Sequence, residues 1–198
     1  MQSQNIIISG SSQAKEGKLV RLIVYVDQFS MLEKTIASSY TDSNGSFVLE
    51  GNIENTQIAI LALDLEKAEF LIEPEKNYEI NIIKDTSSID GSIFEQNPLQ
   101  YNILNEDTLK DYLQSFNVKY NEFLLNNFNA IYRSRSNKII DDFKLEMDSY
   151  FSDYQNDYFI NYSKYKIASL ELASRKKLEN KFIEEYFINN KILYNNIE

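Results

Sequence analysis

The chain of 198 residues contains no cysteine and no histidine. Their absence removes thiol nucleophiles, the commonest general base and the usual transition-metal ligands together. Zero cysteine suits an oxidising compartment without locating the protein in one. Tryptophan is also absent, against 14 tyrosines, a bias shared by the abundant Asn, Lys and Ile. No apolar run is long enough to span a membrane. There is no nucleophile-elbow motif and no glycine-rich phosphate loop. Basic residues are scarce: 20 Lys and Arg stand against 30 Asp and Glu, giving a formal net charge of -10 and a pI near 4.6. An acidic field of that size repels phosphate backbones, so nucleic acid is not the expected partner. The small clusters Arg133-Ser134-Arg135 and Arg175-Lys176-Lys177 read as solvated helix-end or loop charge rather than anion sites.

What is present is enough for a core. Hydrophobic residues make up 43% of the chain and aromatics 13%, which argues against wholesale disorder. The length suits one or two domains. Near residue 95 the apolar rhythm changes. Before it, residues alternate, as in Phe47-Val48-Leu49 and Ile80-Asn81-Ile82, the period of a half-buried sheet. After it they recur every three or four positions, as in Phe143, Met147, Tyr150 and Tyr154, the period of a helix packed on one face. The expected fold is therefore α+β: an antiparallel β-sandwich over residues 1–90, followed by an all-helical domain over 91–198.

Seven strands are expected in the first part. Leu19 to Val26 is continuous and β-branched, as in a central strand. Asp42-Ser43-Asn44-Gly45 predicts a type I′ hairpin, and Pro74 ends the strand before it by withholding a ladder donor. Beyond Pro98 there is neither proline nor glycine. Helices are expected over 98–132, 137–163, 164–175 and 178–190, with caps and acid supplied by Asn105-Glu106-Asp107-Thr108 and a break at Ser134-Arg135-Ser136-Asn137.

Three groups of side chains invite a functional reading. Tyr150, Tyr154, Tyr158, Tyr162 and Tyr165, with Phe143, stand at helical spacings. A tyrosine stripe can stack on sugars or dock a peptide, and Tyr154, Tyr158, Tyr162 and Tyr165 are the candidate ligand-binding residues. The competing reading makes the same rings the core of a helix bundle with their hydroxyls at its rim. The acids Asp141, Asp142, Glu146, Asp148, Asp153 and Asp157 lie close in sequence, but metal binding or glycoside cleavage needs carboxylates converging from separate elements. Interleaved with aromatics on a helix, they read as a solvated face. Asp42-Ser43-Asn44-Gly45 has the start of a calcium loop without the further acids or the distal Glu. No catalytic residue, metal ligand or cofactor site is assigned, and the chain is expected not to be an enzyme.

Two blocks resemble a known family. Thr41-Asp42-Ser43-Asn44-Gly45-Ser46-Phe47-Val48-Leu49-Glu50-Gly51 is similar to a D-x-x-G-x-F-x-F-x-G hairpin. Ala68-Glu69-Phe70-Leu71-Ile72-Glu73-Pro74-Glu75-Lys76-Asn77-Tyr78-Glu79-Ile80 is similar to an a-x-F-x-i-e-P-G-x-x-y-x-i block. Together they resemble the N-terminal β-sandwich, a domain of unknown function, of envelope-anchored thioredoxin-like proteins of gut-type Gram-negative bacteria. Residues 154–190 look similar to the helical segment that follows it there. Glu75 stands where that family usually has glycine, and no Cys-x-x-Cys is present, so no redox role carries over to any residue. The resemblance implies a periplasmic or outer-membrane-associated, non-enzymatic module that positions a protein partner or a downstream domain. Any membrane attachment would come through a lipid anchor outside the chain. The polar start at Met1-Gln2-Ser3-Gln4 fits either a removed leader or a cytoplasmic protein, and the end at Tyr194-Asn195-Asn196-Ile197-Glu198, without a polar tail, favours a chain that continues. The alternative expectation is a protein that binds glycan or peptide through exposed tyrosines.

Overall fold

The computed structural model describes residues 4–13, 16–27, 30–83, 98–134, 137–174 and 179–188. The chain divides into two compact units, Met1–Asp107 and Thr108–Glu198. The expected division between residues 90 and 91 lies outside the described residues. Charge divides with the units. Residues 1–107 hold 7 Lys and Arg against 17 Asp and Glu, while residues 108–198 hold 13 of each, so the whole net charge sits on the first unit.

The first unit is a sandwich of two four-stranded sheets. One has the order β4-β1-β7-β8, from Ser46–Ile53, Gln4–Ser12, Asn77–Ile83 and Gln100–Ile103. The other has the order β3-β2-β5-β6, from Glu33–Tyr40, Leu19–Tyr25, Gln57–Leu63 and Glu66–Ile72. Alternation places one face of each strand inward. Ile6, Ile8, Phe47, Leu49, Tyr78, Ile80 and Ile82 from the first sheet meet Val20, Leu22, Leu61, Phe70 and Ile72 from the second. Each large side chain so buried contributes about 1.5–3 kcal/mol, and this shared core holds the sheets face to face. The expectation for β2 as a central strand is met, since Ile23 is buried on its opposite face with Ile60 and Ala62.

Three local expectations differ from what is seen. The ladders are antiparallel except that β1 runs parallel to β7. An eighth strand, β8, occupies residues expected to be helical. Tyr101 and Ile103 face the core and β8 pairs with β7. Its end is fixed by Asn105, which donates to the Asn77 carbonyl and accepts the Glu79 N–H at 2.7 and 2.9 Å. The turn at Asp42 is not type I′, because neither Ser43 nor Asn44 has positive φ. Instead Asp42 Oδ1 accepts the Asn44 and Ser46 amides, and Gly45 alone is left-handed at φ 78°. This is a type I turn closed by a glycine bulge, selected by the Asp side chain holding residues 43 and 44 right-handed.

The second unit consists of α1 (Thr108–Tyr132), α2 (Asn137–Tyr150), α3 (Asp157–Ala173) and α4 (Glu179–Tyr186). The expected break near residue 134 separates α1 from α2. The helix expected over 137–163 is instead two helices, and the second runs through the boundary expected at 163–164. Residues 151–156 turn without proline or glycine because polar side chains take over backbone groups. Gln155 Nε2 donates to the Ser152 carbonyl at 2.9 Å, and Asn156 Oδ1 accepts the Tyr158 and Phe159 amides. Asn156 is thus the N-cap of α3. Phe116 is fully buried, with Phe143, Met147, Phe151, Phe159 and Ile167 nearly so. Among the described residues, no helix is long and apolar enough to cross a membrane.

Candidate functional site

Two concavities in the helical unit meet at the turn of residues 151–156. The deeper is a cleft of about 380 Å³ formed by α2, that turn, α3 and α4. Phe116, Met147, Phe151, Phe159 and Ile167 form its apolar floor, and Lys144, Asp148, Lys164 and Glu185 its charged rim. Such a lining of apolar area with few polar groups is the usual make-up of a binding cleft. The shallower one, of about 330 Å³, lies where α1 passes the end of α2 and is lined by Asp111, Tyr112, Ser115, Tyr150, Phe151 and Asp153.

A ring stack separates the two. Tyr154 lines the cleft, Tyr112 lines the shallower concavity, and their rings lie 3.8 Å apart at 14°. Phe159 braces both from the side, at 5.8 Å from Tyr112 and 5.4 Å from Tyr154. The Tyr112 hydroxyl faces Asp153 Oδ2 at 3.5 Å. Burial first, and then the Asp153 charge, raise its pKa above the usual phenol value.

The four candidate tyrosines are not brought to one surface. Tyr154 is half-buried in the stack. Tyr158 is buried. Tyr162 donates to Asn117 Oδ1 at 2.7 Å, with its ring edge-on to Phe116. Tyr165 donates to the Tyr186 carbonyl at 3.0 Å. Only Tyr154 lines the cleft. Tyr186, on α4, is buried and donates to Glu171 Oε2 at 2.9 Å. Burial, followed by that hydrogen bond, raises its pKa strongly. These bonds dock α4 onto α3 and set the wall that Glu185 and Tyr186 give the cleft.

The acids of α2 and the following turn, Asp141, Asp142, Glu146, Asp148 and Asp153, are all exposed, as is Asp157. Among the described residues no group of three or more carboxylates is placed to hold a metal ion. Periodicity singled out Met147, Tyr150 and Tyr154 among the residues that build the concavities, but not Asp111 or Tyr112. Asp111 and Tyr112 lie some 40 positions before their neighbours Tyr150 and Asp153, and only the packing of α1 on α2 joins them. One signal was present: the run Tyr150-Phe151-Ser152-Asp153-Tyr154 crowds three rings around an acid where the helical period fails.

No protein-family model and no curated protein matches the chain.

Proposed function

We propose that this protein is a non-enzymatic module of the cell envelope that holds a protein partner or a linked domain in position, with the helical unit supplying the contact. The observation that carries this reading is the α2–α3–α4 cleft, whose aromatic and aliphatic floor sits within a rim of both charge signs. A mixed rim around an apolar floor suits a polypeptide segment, which brings apolar side chains and paired charges together. The resemblance of the sandwich blocks to envelope thioredoxin-like proteins supports the location and the kind of partner.

The test recovers the native protein from its own cells by compartment, with a photo-crosslinker at Ile160, which is 41% exposed and lines the cleft. The reading expects recovery in the envelope fraction and one discrete crosslink, to a thioredoxin-like domain in the same or another chain. Recovery in the cytoplasm, or a crosslinker that labels nothing there, refutes it. The alternative, a glycan- or peptide-binding protein, rests on Tyr154 at the cleft, and quenching of tyrosine emission by a glycan panel tests it.

A further inference from the structure

We propose that the shallower concavity, at the crossing of α1 and α2, binds an alkylated ammonium group. Its walls hold three rings, with Phe151 at a steep angle to each of the other two. Phe151 lies 6.0 Å from Tyr112 at 57° and 4.8 Å from Tyr150 at 71°. Among the described residues Asp111 and Asp153 are the only charged groups lining it, and both are exposed carboxylates. Aromatic faces are the negative poles of their quadrupoles, so rings and acids together select a cation. The chain itself shows that one of these rings takes one: the Lys119 ammonium lies 3.9 Å from the centroid of Tyr150, although Lys119 is not among the residues lining the concavity.

Two features narrow the class. Beside the rings the lining offers two exposed carboxylates and the single half-buried hydroxyl of Ser115, too few acceptors to replace the water shell of a primary ammonium, so a weakly hydrated cation is preferred. Angled walls cup a round trimethylammonium head, whereas a flat guanidinium favours a ring parallel to it. The Tyr154 ring stacked behind Tyr112, with Phe159 against both, holds that wall before any ligand arrives. This site is separate from the α2–α3–α4 cleft and stands whether or not a partner occupies that cleft.

The experiment titrates choline chloride into the full chain, following the aromatic-ring NMR signals against a sodium chloride control. A parallel titration uses dimethylbutanol, the same shape with an uncharged carbon in place of nitrogen. Choline is expected to shift Tyr112, Tyr150 and Phe151, and dimethylbutanol to leave them in place. Removing both charges, in Asp111→Asn with Asp153→Asn, is expected to weaken binding about fivefold, and Tyr150→Leu about threefold. All three residues are exposed, so these variants fold, and their unchanged amide spectra check it. A trimethyllysine peptide binding more tightly than choline assigns the ligand to a modified protein, and the reverse order to a small molecule or lipid head group. Equal shifts with dimethylbutanol, shifts scattered over other rings, or an undiminished affinity in the double Asn variant each overturn the proposal.

Discussion

Replacing Glu75 by glycine is expected to stabilise the sandwich, although it deletes a side chain that makes a hydrogen bond. Glu75 occupies the third position of the turn Glu73-Pro74-Glu75-Lys76 at φ 62°. Proline second and a left-handed residue third is the pattern of a type II turn, in which glycine suits the third place. The backbone cannot relax out of that conformation at no cost, because the Glu75 N–H donates to the Asn5 carbonyl at 3.0 Å and ties the turn to β1. On its other side Lys76 is held by Glu73 and Asp107 at 2.8 and 2.9 Å. A residue with a Cβ pays about 1–2 kcal/mol for the left-handed region. Glycine removes that strain and gives back about 0.4–1 kcal/mol through the looser unfolded chain. The bond from Gln4 Nε2 to Glu75 Oε1, 2.9 Å long and exposed, contributes at most about 0.5 kcal/mol. The net gain is about 0.5 kcal/mol, a rise of roughly 2–4 °C in the melting temperature of a unit of this size. Calorimetry and urea titration on the full chain give the number, and two further variants separate its parts. Glu75→Ala loses the Gln4 bond and keeps the strain, so it falls below the parent. Glu75→Asn tolerates the left-handed region better and falls between alanine and glycine. An alanine variant as stable as the glycine variant would show that φ at this position is not what limits stability.

Three other outcomes follow from the packing. Gly10→Ala is expected to cost about 1–3 kcal/mol, because a Cβ there would lie 2.5 Å from both the Ile80 carbonyl oxygen and the Phe47 ring. Urea unfolding checks it, and Phe47→Leu in the same chain should recover part of the loss. Asn156→Ala is expected to cost about 1 kcal/mol by leaving two amides of α3 without their cap; far-UV circular dichroism during urea unfolding measures it, and Asn156→Asp should restore most of it. Stability is also expected to fall at alkaline pH. Burial raises the Tyr78 phenol above its ordinary 10.0. Burial pulls Lys76 down, but its bonds to Glu73 and Asp107 outweigh this and leave it above 10.5. The folded state holds both protons more tightly than the unfolded one, so this stability is complete below pH 10 and is lost as the pH climbs through the folded values, at up to about 1.4 kcal/mol per unit for each group. Urea midpoints between pH 9 and pH 11 measure the slope, which Tyr78→Phe should reduce.

Period and breakers alone determined the two-part layout of this chain. Alternation such as Phe47-Val48-Leu49 can bury one face only as a strand, and a stretch without proline or glycine after Pro98 carries few obstacles to helix. Tertiary structure decided the rest. Gln100–Ile103 is too short to announce itself and became β8 because the edge of β7 offered it unpaired donors and acceptors. The parallel partner of β1 is far away in sequence, and nothing local encodes it. The long helical pattern split at residues 151–156 because Gln155 and Asn156 compete for backbone groups, an effect that depends on where those side chains point. That turn brought Asp153 and Tyr150 beside Asp111 and Tyr112, which no periodicity relates. Local sequence chooses the rhythm of burial within an element, whereas the meeting of two elements depends on how their buried faces fit, and the cleft and the shallower concavity beside it lie at such meetings.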